Sequence, residues 1–281
     1  MTYSIVAADP ASGQIGVAVQ SKFLAVGALV TWAAADAGAV ATQALADVTI
    51  GPRGLDLLRA GTAPADCVEP LLAGDTLREQ RQFGLVATDG RAASFTGAEC
   101  FDHASSLVGD GFAAQGNILA SRAVVDGLAS GLLETAGKPL ADRLLEALGR
   151  AQAAGGDRRG QESAALLVVR AGGGYGGNHD RMLDLRVDDH ATPIAELGRL
   201  LALHRLFFDR PDPADALPVE GALRDELHAV LAHRGFDPEA GFGTALFAYF
   251  GWENLEERWL DEQRLDPAVL AYIREHEGNR S

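Results

Sequence analysis

A chain of 281 residues, 47% of them apolar, has ample material for a packed core in one large or two smaller domains, which excludes a fibrous or disordered polymer. Its formal net charge of -15, with a pI near 4.8, excludes a basic face for nucleic acid or for an anionic membrane, since phosphate binding needs cations. Two cysteines, Cys67 and Cys100, outside any CxxC spacing, exclude a disulfide scaffold or a structural zinc site and are expected as reduced, partly buried thiols.

The opening stretch, MTYSIVAADPASGQIGVAVQSK, alternates, turns at Asp9-Pro10-Ala11-Ser12-Gly13 and resumes a period of two at Ile15, Val17 and Val19. It predicts a β-hairpin whose first strand starts at Thr2. No basic region with an apolar run precedes it, and no apolar run reaches the roughly 18 residues of a membrane span, so a cytoplasmic protein is expected. GALVTWAAADAGAVATQAL holds two apolar runs broken at Asp36 to Gly38, and RQFGLVATDGRAASFTG a hairpin at Asp89-Gly90. GPRGLDLLRAG and PADCVEPLLAG predict helices ending in glycine, and residues 121 to 136 and 139 to 153 predict a helix pair. ESAALLVVRA and DRMLDLRVDD predict strands joined by the flexible GGGYGGNH. From about Ala191 the spacing is helical to the end, DRPDPADALP is the expected hinge, and Phe242, Phe247, Tyr249, Phe250, Trp252 and Trp259 are expected to crowd together.

Chemistry is sought first at Thr2. A small second residue favours removal of the initiator methionine, which would leave a threonine bearing both a hydroxyl and an α-amine of pKa about 7.7 to 8.0, able to act as its own base. Ser21 or Lys22, at the far end of the hairpin's second strand, would come close to that hydroxyl, and a buried cation there would favour the alkoxide. The alternative for Lys22 is a solvated strand-end charge.

Taken together, MTYSIVAADPASGQIGVAVQSKFLAVGALV, AGAVATQALADVTIGPRGLDLLRAG, RQFGLVATDGRAASFTG, AAQGNILASRAVV, AGGDRRGQESAALLVVR and LDLRVDDH resemble the DUF1028 family, from Met1 to about Leu201. The resemblance implies membership of the N-terminal nucleophile hydrolase superfamily and an α+β fold: a four-layer αββα sandwich over residues 1–205. Residues 206–281 are similar to the small helical peptidoglycan-binding-like domain of some members. The superfamily's nucleophile opens the first strand, which is Thr2 here. A proteasome-like member would add an acid and a lysine on the following strands. Here Gln20 stands near the acid's place, and no lysine lies between Lys22 and Lys138.

Gln115-Gly116-Asn117 follows an irregular GDGFAA stretch, and Asn117 is the favoured donor to an oxyanion, with Gln115 accepting from a substrate amine. The alternative is an amide pair that satisfies loop backbone. Asp157, Arg158 and Arg159 lie in the glycine-rich AGGDRRG loop, where an arginine could hold a substrate carboxylate while Asp157 orients it, or the three could only fix the loop. Asp184, Arg186, Asp188, Asp189 and His190 invite a metal reading, but alternation sets Arg186 between two acids and favours ion pairing. GGGYGG contains GxGxxG, yet a strand follows it where a dinucleotide site needs a helix. No cofactor and no metal are therefore expected. The function expected is an amidohydrolase acting on a small carboxylate-bearing amide, with catalytic Thr2, Ser21, Lys22 and Asn117, and substrate held by Gln115, Asp157, Arg158 and Arg159. The alternative is a non-catalytic protein that binds a small molecule on the same scaffold. Neither nucleic acid nor membrane is an expected partner, and a homo-oligomer is.

Overall fold

The computed structural model describes residues 2–278. Its elements run β1 Thr2–Asp9, β2 Gln14–Ser21, α1 Gly27–Val30, β3 Thr31–Ala34, β4 Gly38–Ala44, α2 Ile50–Arg59 and α3 Pro64–Leu72. They continue β5 Arg81–Ala87, β6 Ala92–Thr96, β7 Ser105–Gly109, β8 Phe112–Asn117, α4 Ala123–Leu133, α5 Leu140–Ala153, β9 Ser163–Val169 and β10 Arg181–Val187. After these come α6 Pro193–Phe208, β11 Leu217–Pro218, α7 Gly221–His233, α8 Phe242–Trp252, β12 Arg264–Leu265 and α9 Pro267–Gly278.

The fold mixes helices with antiparallel sheets. A six-stranded sheet has the order β10-β9-β2-β1-β8-β7 and a four-stranded one the order β3-β4-β5-β6. The first packs on the second through β1 and β8 against β4 and β5. Helices α4 and α5 pack together and lie on β1, β2, β8 and β9, while α2 and α3 lie on β3 to β6. Helix α5 suits this place because Leu140, Leu144, Ala147, Leu148 and Ala151 repeat at three- and four-residue spacing and are all buried. Gly131 of α4 lets the two helices touch: a Cβ there would stand 2.5 Å from the Cα of Ala147.

Between the sheets, period-two alternation sorts side chains into two zones. Val6, Val17, Val19, Ala39, Ala41, Val86, Ala113 and Leu167 form an apolar core in the middle and toward one end. At the other end the same faces of the same strands carry Thr2, Ser4, Ser21, Gln43, Gln82, Gln115 and Asn117, all buried. A sheet that can accept valine there holds amides and hydroxyls, so each needs a partner.

Two expectations are corrected here. The stretch before Gln115 is not irregular: β7 and β8 form a hairpin that turns at Asp110-Gly111, and β8 lies beside β1 in the sheet. The first residues of GALVTWAA form the short α1, and the strand begins only at Thr31.

The chain divides into two compact units, Met1–Leu200 and Leu201–Ser281, with the division inside α6. The second unit has its own core, in which Phe242, Tyr249 and Phe250 are buried, and Trp259 meets Phe247 and Phe250 edge to face. Trp252 does not join it and is 74% exposed. Among the described residues no helix is long and apolar enough to cross a membrane.

Candidate functional site

Thr2 heads β1 with Ser21 of β2 on one side and Asn117 of β8 on the other, because both neighbouring strands end in register with it. Its Oγ1 lies 3.0 Å from Ser21 Oγ, and its carbonyl accepts a hydrogen bond from Gln43 Nε2 at 3.3 Å. Met1, whose removal the nucleophile expectation requires, lies outside the described residues.

Below Thr2 the buried amides connect into one network. Gln82 Oε1 accepts from Asn117 Nδ2 at 2.9 Å and from Gln43 Nε2 at 2.8 Å. Gln82 Nε2 donates to the Gly116 carbonyl at 2.9 Å and to Thr96 Oγ1 at 3.0 Å. Gln43 Oε1 accepts from Ser4 Oγ, which accepts from Gln115 Nε2, each at 2.7 Å. Gln115 therefore lies two residues deeper on its strand than Asn117, is fully buried and bonds Ser4 of the neighbouring strand β1, away from any opening, while Gln43 and Gln82 tie the two sheets together. Gln43 and Gln82 were not singled out in the sequence. Their one visible sign there is a polar residue at the end of an otherwise apolar alternation, in AVATQA and RQFGLVA.

The cationic residues behave differently from one another. Lys22 extends beyond the strand end to Glu162, with Nζ 3.3 Å from Oε2, and no buried cation stands at the Thr2 hydroxyl among the described residues. Its backbone N–H instead donates to Asp157 Oδ2 at 3.1 Å. Asp157 is 3% exposed and also accepts from the Arg159 N–H at 2.8 Å, while Arg159 Nη2 lies 3.3 Å from Oδ2. It is thus an anchor beneath Arg159, buried too deeply to meet a ligand as well. Arg158 donates to the Asp102 carbonyl and ties two loops. On the opposite face of β1, Tyr3 donates to Gln152 Oε1 at 3.0 Å, and burial, then the charge of Asp157, pushes its phenol well above the usual range. Gln20 shares that face, since Ser21 is the residue in register with Thr2. It is fully buried and turned away from the Thr2 hydroxyl.

A cleft of about 510 Å³ opens at this end of the sheets, lined by Asn117 and Arg159 with Ala44, Leu45, Gln80, Glu99, Cys100, Phe101 and Ile118. Its size falls within the roughly 300–1,000 Å³ of small-molecule sites. Thr2, Ser21, Asn117 and Arg159 are the expected residues that the fold brings to this end, with Asn117 common to the hydroxyl pair and the cleft. Burial pushes the thiols of Cys67 and Cys100 up, and both cysteines are free. Asp184 is paired with Arg186, Nε to Oδ1 at 2.9 Å, and among the described residues no group of three or more His, Cys, Asp or Glu could hold a metal ion.

Comparison with known proteins identifies the family. The chain matches the model of a family of unknown function, DUF1028, over residues 2–197. No curated protein matches it. It is similar to the crystal structure of protein SPO2555 from Silicibacter pomeroyi, described as DUF1028, with 30% identity over 80% of this chain and 92% of that one, at a TM-score of 0.65. Sharing both the family's sequence pattern over most of its length and the fold of that protein, the chain belongs to the DUF1028 family.

Proposed function

We propose that the chain is an N-terminal nucleophile amidohydrolase, built as a four-layer αββα sandwich, that cleaves a small amide bearing a carboxylate. The observation that carries this reading is the Thr2 hydroxyl, 3.0 Å from Ser21 Oγ at the head of a central strand and beside Asn117 at the rim of the cleft. Once the Thr2 amine is free, it takes the hydroxyl proton, directly or through Ser21, and Oγ1 adds to the substrate carbonyl. Asn117 Nδ2 has one N–H committed to Gln82 and a second to offer the oxyanion. Collapse expels the amine, which takes the proton, and water then hydrolyses the ester on Thr2. Arg159, held from beneath by Asp157, pairs with the substrate carboxylate. A cytoplasmic setting suits a small substrate, and we assign the C-terminal unit a packing or oligomer role in preference to cell-wall binding.

One observation favours a second reading, a binding protein without turnover: the side chains around Thr2 are neutral, and Lys22 is engaged by Glu162. Intact-mass spectrometry of protein from its native host, followed by exposure to a β-lactone, separates the two. The hydrolase reading expects Thr2 as first residue and one adduct on it, absent in Thr2→Ala. Complete retention of residues before Thr2, or no adduct on a free Thr2, would leave the binding reading.

A further inference from the structure

Two charged side chains line the cleft, Arg159 and Glu99, and they are not in the same state. Arg159 already faces the buried carboxylate of Asp157, with Nη2 3.3 Å from Oδ2, so its charge is balanced from within the fold. Glu99 has no such balance. Among the described residues its carboxylate accepts one hydrogen bond, from Gln80 Nε2 at 3.0 Å, and pairs with no lysine or arginine. The cleft is therefore left negative, on a chain whose net charge of -15 already draws cations.

Glu99 is also held in place. Its backbone N–H donates to the Glu79 carbonyl at 2.8 Å, and the next residue, Gln80, donates to its side chain. An exposed carboxylate ordinarily keeps its rotamer freedom in water, and one tied at both backbone and side chain has lost that freedom before any cation arrives. Beside it the cleft is apolar. Leu45 and Phe101 line it while remaining 47% and 75% exposed, and Ile118 of the same lining takes a left-handed backbone, with φ at 50°. That conformation is costly for a β-branched residue, and such strain concentrates where a ligand is clamped.

We infer that the substrate carries an ammonium group, received by Glu99, next to an apolar side chain that lies along Leu45, Phe101 and Ile118: it is the amide of an apolar α-amino acid. The inference rests on the reading of this cleft as an amide-substrate site. It adds a cation to that substrate and asks nothing further of Arg159.

Isothermal titration of the full chain with three probes that lack a carboxylate tests this without requiring turnover: L-leucinamide, N-acetyl-L-leucinamide and glycinamide. Acetylation removes the charge and keeps the side chain, and glycinamide does the reverse. L-leucinamide should bind about three- to ten-fold more tightly than its acetyl derivative, between the values of an exposed ion pair and of a charged hydrogen bond, and should also exceed glycinamide. Glu99→Gln, which keeps an acceptor for Gln80 at an exposed position, should bring L-leucinamide down to the acetyl probe and leave the acetyl probe unchanged. Phe101→Ser, also at an exposed position, should weaken L-leucinamide and leave glycinamide unchanged. An acetyl probe that binds as tightly as the free amine, an advantage over it that survives Glu99→Gln, an advantage over glycinamide that survives Phe101→Ser, or no binding of any probe would overturn the inference. Thr2 adduct formation stays the separate test of the nucleophile, so the two can fail independently.

Discussion

Gln82 meets the Gly116 backbone carbonyl with its amide nitrogen, and a carbonyl can only accept, so the oxygen of Gln82 must face Gln43 and Asn117. The direction then propagates. Gln43 presents nitrogen to Gln82 and oxygen to Ser4, whose hydroxyl hydrogen is spent on Gln43, so Gln115 presents nitrogen to Ser4. One main-chain carbonyl thereby fixes the polarity of four amide side chains and of the Ser4 hydroxyl, including which end of Asn117 points inward. Gln82→Leu removes the acceptor of two buried amides at once and should destabilise the fold by roughly 2–5 kcal/mol, read as a lower urea midpoint at unchanged slope. A loss below about 0.5 kcal/mol would show that the network relaxes without its centre. Of these residues, Thr2, Ser21, Gln115 and Asn117 were legible in the sequence because they sit at strand ends or in a short amide cluster. Gln43 and Gln82 were not, since what makes them matter is the facing of two sheets that no local period encodes.

Arg81, the first residue of β5, places its guanidinium on Asp75 with Nε to Oδ2 at 2.7 Å and Nη2 to Oδ1 at 3.2 Å, and also on the Leu45 carbonyl. The strand is thus tied at one stroke to the segment after α3 and to the cleft wall after β4. The Arg81 bond, then the Leu77 N–H, hold the Asp75 carboxyl below its usual value. A carboxylate lowered in the folded state adds stability above its unfolded pKa of about 3.9, and that contribution is lost as the pH falls through the folded value. Wild type should therefore melt above Asp75→Asn at neutral pH, with the gap closing between roughly pH 5 and pH 2; a gap independent of pH would show that the pair is not the tie. At this scale much was readable: the β1–β2 turn at Pro10 to Gly13, the β5–β6 turn at Asp89-Gly90 and the α4–α5 pair all follow from local punctuation. The β7–β8 hairpin was missed because SSLVGDGFAAQGN spreads small and polar residues over both faces, so its alternation is faint although its turn is a plain Asp-Gly.

For the whole molecule the sequence signalled a change to helices near residue 191 and a proline-rich hinge, and the boundary was expected after residue 205. The division falls earlier, inside α6, because one helix can give its first turns to one core and its last to another. Leu197 is buried before the division, and Leu206 and Phe207 pack on the C-terminal core after it. Arg258 adds hydrogen bonds to the Arg205 and Leu206 carbonyls and an ion pair with Asp266 at 2.8 Å. A fragment of residues 201–281 should thus melt cooperatively, while one of residues 209–281 should lose these contacts and its sharp transition. Equal melting of both would show that the end of α6 adds nothing to that unit. In the first unit, Thr2 is next to Asn117, and Ser21 is next to Ser163, so its central strands are neighbours only after very long loops close. Closing them costs entropy before the ladders return any of it, which makes such a sheet slow to form. The surroundings of Thr2 are for that reason a property of the finished sheet, and a peptide cut from the first hairpin would carry the threonine and Ser21 without Gln43 or Asn117 beside them.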